Sequence, residues 1–328
     1  MSGVTVVVPN WNRRDLLIRL LGSLGRQTHP IEEIVVADNG STDGSAEAAE
    51  SAGARVLRLG SNLGFSRAVN SGIRTSRTPW VAVVNNDIEP APDWLARLTE
   101  AFEDDAVWFA AGKLLNEKRR DSIDGTFDTI CRGACVWRAG HRRPDGPLWG
   151  EKRLIRLAPF TAALFRAELF DRVGLLDEQF ESYLEDVEFG LRAARRGFGG
   201  VYVPEAVAHH AGSATLGAWH PETVRRMARN QILLVAKHFP SGWLLRYGWP
   251  ILVAQGLWGL VAARHGAGFP YLRGKLEGIR RFRSVRAEAH GAGAGDIGRI
   301  LEESEMELRA LQERTGFDLY WRLYFGLT

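Results

Sequence analysis

Short apolar runs alternate with helical periodicities over roughly the first ninety residues, within the usual size of repeated strand and helix units. Val4-Thr5-Val6-Val7-Val8 predicts a fully apolar strand, and from Arg13 to Gln27 the residues Leu16, Leu17, Leu20, Leu21 and Leu24 fall at helical spacing. A second strand is expected over Ile34 to Ala37, then a short helix over Ala46 to Ala52 that Gly53 stops. Arg55 to Leu59 predicts a third strand, after which Phe65, Ala68, Val69, Gly72 and Ile73 share one helix face. Trp80 to Val84, mostly β-branched or aromatic, reads as a buried parallel strand. The alternation predicts an α/β fold, a parallel sheet with helices on both faces.

After a helix over Asp93 to Phe102 the regularity breaks. Between about Gly112 and Pro159, Gly, Arg and Pro punctuate short runs, as expected of a lid or acceptor region. Order returns with a strand over Phe160 to Phe165, helices over Ala167 to Val173 and Glu185 to Arg196, and a strand over Gly200 to Val203. An amphipathic helix runs from His220 to Phe239, and the composition shifts at Pro240, which divides an expected domain of residues 1–240 from a helical C-terminal region, 241–328. Trp243 to Ala263 sets Trp243, Tyr247, Trp249 and Trp258 among aliphatic residues but is interrupted by Arg246 and Pro250. That leaves roughly 17 residues before Arg264, the lower limit for a bilayer span. From Arg264 to Arg286 there are seven basic residues and one acid, Glu277. Tryptophans and a basic flank suit helices lying on an anionic membrane surface over residues 243–286; a buried helical hairpin or a homodimer contact are the alternatives. Ile300 to Phe325 predicts one more amphipathic helix.

Composition narrows the classes further. With 328 residues and 45% hydrophobic content the chain can bury a sizeable core. Val4 to Val8 lacks the basic lead and cleavage site of a signal peptide, so the expected location is cytoplasmic, peripheral on the cytoplasmic membrane face if the tail binds lipid. Cys131 and Cys135 alone cannot supply a four-ligand zinc site and read as reduced structural thiols. A net charge of +3 is too mild to argue for nucleic acid.

The chemistry gathers at strand ends, where ligands of open α/β sheets bind. The first strand ends at Pro9-Asn10-Trp11-Asn12, the second at Asp38-Asn39-Gly40-Ser41-Thr42-Asp43-Gly44-Ser45, and the fourth at Asn85-Asn86-Asp87. Asn62-Leu63-Gly64-Phe65 runs on to Asn70-Ser71-Gly72; Tyr183-Leu184-Glu185-Asp186-Val187-Glu188 opens a later helix, and His210 precedes Gly212-Ser213. Taken in order over roughly residues 4–240, these elements resemble the family 2 inverting glycosyltransferases of GT-A fold, closest to bacterial rhamnosyltransferase-like members.

The resemblance implies a nucleotide-diphosphate sugar donor, dTDP- or UDP-linked with dTDP-rhamnose favoured, and a hydroxyl acceptor on a lipid-linked or cell-envelope glycan. It assigns Asp38 to the nucleobase, whose N3–H a carboxylate can accept, with Pro9 and Asn12 shaping that pocket. Arg67, Asn70 and Asn86 are implied donor contacts. Asp87 resembles the last aspartate of the family's Asp-x-Asp metal motif, in which Asn85 and Asn86 fill the other positions. A divalent cation would take Asp87, diphosphate oxygens and water, and an imidazole ligand would favour Mn2+ over Mg2+. His210 resembles that ligand, although its neighbour His209 leaves the position open by one residue. Asp186 falls in the family's base position, and Glu188 reads as a helix-start charge favoured by the dipole. The rival reading is a non-catalytic nucleotide-sugar or carbohydrate-binding protein on the same fold, expected to lack Asp87 or Asp186. An oxidoreductase is a distant third, since no Gly-x-Gly-x-x-Gly follows the first strand.

Overall fold

The computed structural model describes residues 3–211, 217, 219–288 and 296–328. The elements in chain order are β1 (Val4–Asn10), α1 (Arg14–Leu24), β2 (Glu33–Asp38), α2 (Ser45–Ser51), β3 (Arg55–Arg58), α3 (Phe65–Thr75), β4 (Trp80–Val84), β5 (Ile88–Pro90), α4 (Trp94–Glu100) and β6 (Val107–Asn116). Then follow β7 (Ile123–Gly125), β8 (Asp128–Ile130), β9 (Val136–Arg138), β10 (Arg153–Ile155), β11 (Ala162–Arg166), α5 (Ala167–Val173), α6 (Glu185–Arg195) and β12 (Gly199–His210). The chain continues as α7 (Pro221–His238), α8 (Trp243–Arg264), α9 (Gly268–Glu288), α10 (Ile297–Thr315) and α11 (Leu319–Leu327). It groups into two compact units, one of Met1–Phe127, Gly140–Ala193 and Phe198–Thr215, the other of Asp128–Ala139, Ala194–Gly197 and Leu216–Thr328.

The first unit is built on one sheet of order β10-β12-β6-β11-β4-β1-β2-β3, with β5 added to β12 and β7 to β6. β3, β2, β1 and β4 are mutually parallel, as the alternating pattern predicts. Val4, Val6, Val7 and Val8 have no exposed surface, because a central parallel strand is covered on both faces. Each such side chain contributes about 1.5–3 kcal/mol by leaving water. Pro9, which cannot donate to a ladder, falls past Val7↔Val83, the last pair that β1 makes with β4. The sheet becomes mixed at β11, which lies antiparallel between β4 and β6.

The segment expected as a lid joins the sheet in part, because β7 and β10, three residues each, are too short for periodicity to register. β12 runs well beyond the expected Gly200 to Val203: its pairing with β6 is offset between Val203 and Val207 and then continues to His210↔Asn116. That offset hides the second half of the strand from a simple alternation.

Among the described residues, the second unit carries the β8–β9 hairpin and five helices. α9 lies against α7 at Gly274 and Gly278, where a β-carbon would come within 2.1 Å of the Arg225 carbonyl oxygen and 2.7 Å of Ile232 Cβ. α8 runs unbroken through Pro250, but among the described residues no helix is long and apolar enough to cross a membrane. The single helix expected over Ile300 to Phe325 is two. Gly316, at φ 85°, ends α10, and Gln312 exchanges hydrogen bonds with the Asp318 backbone and carboxylate at 2.8 and 3.0 Å to start α11.

Candidate active site

β1 and β2 end side by side, Asn10 opposite Asp38. The Asp38 carboxylate is buried and accepts from the Asn10 amide at 3.2 Å, the Ser41 backbone N–H at 3.0 Å and the Ser41 hydroxyl at 2.5 Å. A carboxylate has about four acceptor sites, so one remains for a ligand. Ser41 Oγ also accepts from the Asn12 backbone N–H at 2.8 Å, and Asn12 Oδ1 accepts from Thr42 N–H at 2.9 Å. Asn12 and Arg13 take left-handed φ values of 57° and 63°, which turn the chain tightly over the strand ends. Asn86 donates to Asn10 Oδ1 at 2.7 Å, joining the end of β4 to the same network. Asn10 is thus the hub, although the sequence singled out its neighbours Pro9 and Asn12.

A second cluster lies in the same unit. His210 ends β12 opposite Ile88, which brings its Nε2 to 3.3 Å from Asp87 Oδ2. On its other side Nδ1 lies 2.6 Å from Asp124 Oδ2. Burial opposes charge on this imidazole, yet the hydrogen bonds and charges of Asp124 and Asp87 outweigh it and raise its pKa to about 9. His210, not His209, is the histidine that meets Asp87, because alternation along β12 turns His209 away; burial and Arg120 lower the His209 pKa. Asp124 had no sequence signal: it is one acid in an irregular stretch. Among the described residues no group of three or more His, Cys, Asp or Glu has the geometry of a complete metal cage. Asp87 and His210 Nε2 fit a cation that draws its remaining ligands from a diphosphate and water. Gly212 and Ser213 lie outside the described residues.

Asp186 stands in the first turn of α6, half-buried, with Oδ1 accepting from the Val187 backbone N–H at 2.8 Å. The loop before it holds three non-glycine residues at positive φ, Glu181 (61°), Tyr183 (73°) and Leu184 (66°). Such conformations cost about 1–3 kcal/mol each and concentrate at functional sites. Asn70 is buried in α3, where it exchanges hydrogen bonds with the Leu176 backbone at 2.9 and 3.0 Å, and Arg67 pairs with Glu178 at 3.0 Å. Both side chains therefore bind the segment ahead of Asp186. Glu188 differs from its expectation as a helix-start charge: it is fully buried and gripped by Arg192 at 2.8–3.0 Å. Arg192 also donates to the Val173 and Leu175 carbonyls, each at 2.7 Å.

Comparisons with known proteins bear on the family and the fold. Residues 5–174, just over half of the chain, match the family model described as glycosyl transferase family 2. Over 274 residues the chain is 31% identical to the N-acetylglucosaminyl-diphospho-decaprenol L-rhamnosyltransferase of Mycobacterium tuberculosis, covering 73% of this chain and 85% of that protein. A 26% identity over 201 residues relates it to the uncharacterized glycosyltransferase EpsJ of Bacillus subtilis, with 58% and 56% covered. Among solved structures, GalNAc-T7 with UDP, GalNAc and Mn2+ superposes with a TM-score of 0.67 at 15% identity, over 97% of this chain and 58% of that one. The mannosyltransferase PcManGT from Pyrobaculum calidifontis, in complex with GDP-Man and Mn2+, gives 0.54 at 18% identity over 98% and 86%. With the family model and the mycobacterial relative in accord over most of its length, the chain belongs to glycosyl transferase family 2 and is a glycosyltransferase of GT-A fold.

Proposed function

We propose that the protein transfers rhamnose from dTDP-rhamnose to a hydroxyl of a lipid-linked or cell-envelope glycan, with inversion. The observation that carries the donor end is the hydrogen-bonded line Asn86–Asn10–Asp38, which joins a carboxylate with spare acceptor capacity to the Asp87 corner. The name of the mycobacterial relative supports the sugar and the lipid-linked acceptor. In this reading Asp38 accepts from the N3–H of thymine, Pro9 and Asn12 shape the base pocket, and Asn86 and Asp87 face the diphosphate. Arg67 and Asn70 serve the donor by holding the segment that leads to Asp186. Asp186 takes the acceptor proton during in-line attack on the anomeric carbon. Asp87 and His210 hold a divalent cation, Mn2+ in preference to Mg2+ because one ligand is an imidazole. When bound, the cation neutralises charge on the departing diphosphate. Residues 1–240 form the catalytic domain and 241–328 the helical region.

That region binds the cytoplasmic face of a membrane in the same reading. Leu245, Trp249, Leu252 and Leu260 form one exposed stripe along α8, with Leu245 97% exposed. Phe269, Leu272, Leu276 and Ile279 form another along α9, where Arg273, Arg280 and Arg283 are also exposed. Apolar stripes among arginines match a lipid surface with anionic headgroups, and partial insertion suits helices that do not span.

The donor assignment is tested by thermal protection and transfer across a panel of nucleotide sugars, with Mn2+ present. Stabilisation by dTDP-rhamnose above the UDP- and GDP-sugars is expected; equal or better protection by another donor overturns it. Flotation with anionic and neutral vesicles tests the membrane face: binding to anionic vesicles that Leu245→Glu with Leu276→Glu removes supports it. Salt-insensitive self-association with no vesicle binding favours a dimer contact instead.

A further inference from the structure

We propose that Asp124 is the positioning residue of the cation site, the group that turns His210 so that its Nε2 faces the Asp87 corner. The inference rests on the cation reading above and goes beyond it, since Asp124 touches neither donor nor acceptor in that scheme. The first observation is the ring's placement between two carboxylates, Asp124 at Nδ1 (2.6 Å) and Asp87 at Nε2 (3.3 Å). A neutral imidazole carries one N–H. With that hydrogen donated to Asp124, the Nε2 lone pair faces a second carboxylate, and the space between them suits a positive charge, a proton or a cation. A cation can take the place of the proton between Nε2 and Asp87 Oδ2, and the bond at Nδ1 fixes which nitrogen is offered.

The second observation is how the backbone delivers Asp124. β7 pairs with β6 at Leu114↔Gly125 and Leu115↔Ile123, so adjacent residues of β6 face residues two apart on β7, and Asp124 is the extra one. A bulge of this kind re-aims one side chain, and it occurs preferentially beside active sites. The side chains of Asp124, His210 and Asp87 are each only 10% exposed, so solvent does not compete strongly for the ring. Carboxylates that hold the second nitrogen of a metal-ligating histidine fix its tautomer and orientation, and their loss typically lowers metal affinity by about 10–100-fold.

The test measures free Mn2+ by electron paramagnetic resonance with dTDP present, under Mg2+ competition. It compares the parent protein with Asp124→Asn, Asp124→Leu and His210→Ala. Asp124→Leu should lose about 10–100-fold in Mn2+ affinity, and its preference for Mn2+ over Mg2+ should fall to that of His210→Ala. Asp124→Asn, which keeps the shape, should fall between, and it decides the matter if the leucine variant does not fold by circular dichroism. Unchanged Mn2+ preference in both Asp124 variants, with His210→Ala affected, overturns the inference alone. Equal loss of Mn2+ and Mg2+ marks a purely structural role and overturns it too. A parent protein that takes up no Mn2+ with dTDP overturns the cation reading together with the inference.

Discussion

The Ser66 backbone N–H donates to the Glu181 carbonyl at 2.9 Å, so the first turn of α3 is tied to the strained loop that leads into Asp186. Phe65 N–H reinforces this with a bond to Ser182 Oγ at 3.2 Å. Gly64 makes the approach: its φ is 90°, and a β-carbon there would lie 3.0 Å from the Glu181 oxygen. Gly64→Ala should destabilise the fold by about 1–3 kcal/mol and slow transfer even where the protein remains folded. Melting temperature and single-turnover rate, measured together, check this; an alanine variant equal to the parent in both would show the contact to be idle.

Asp186 and Asp87 should separate in kinetics. Asp186→Asn removes the carboxylate proposed as the base while keeping shape, and a loss of about 10²- to 10⁴-fold in kcat is expected with donor affinity near the parent value. Asp87→Ala should weaken donor binding and turnover together. Transfer at the parent rate by Asp186→Asn would move the base to another acid.

Glu188 tests a structural role. It is fully buried against Arg192, and removing one partner of such a pair costs about 3–5 kcal/mol because the other charge is stranded. Glu188→Ala should lower the unfolding free energy obtained from urea denaturation by that amount. Arg192→Met should do the same, and the double variant should be less destabilised than the two losses added. Additive losses would mean the pair is not coupled.

Lys275 sets a pH dependence for the second unit. Its ammonium meets the amide oxygens of Gln231 and Gln255 and the face of Tyr271, and burial pushes its pKa down to about 7. The unfolded chain keeps this proton to about pH 10.4. Between those values the unfolded state binds more protons, so stability should rise with pH from about 7 to about 10, by at most about 1.4 kcal/mol per pH unit. Below pH 7 the full penalty applies. Lys275→Met should flatten this part of the profile, measured by urea unfolding at pH 6.5, 8 and 9.5; an unaltered slope would discount the lysine.

The sequence revealed what local pattern encodes. β1, β2 and β4 are apolar runs bounded by turn residues, and their ends carry Asp38 and Asn86-Asp87 where a parallel sheet presents them. It was silent where long-range pairing decides. Asp124 gains its place from a bulge between β6 and β7, and the offset in β12 that carries His210 inward depends on residues far apart in the chain. Glu188 looked like a surface charge because Arg192, four residues on, is as common on solvated helices as in a buried pair.

Asn10 has a consequence for which donors the site admits. Its amide gives both hydrogens, to Asp38 and Ser41, and takes one from Asn86, so three of its four hydrogen-bonding directions are committed and the side chain is held in place. It works as a ruler, setting a fixed span between the pocket beside Asp38 and the corner beside Asp87. A molecule must reach both marks to use both. A nucleoside monophosphate falls short at one end and inorganic diphosphate at the other, so each should bind far more weakly than a nucleoside diphosphate.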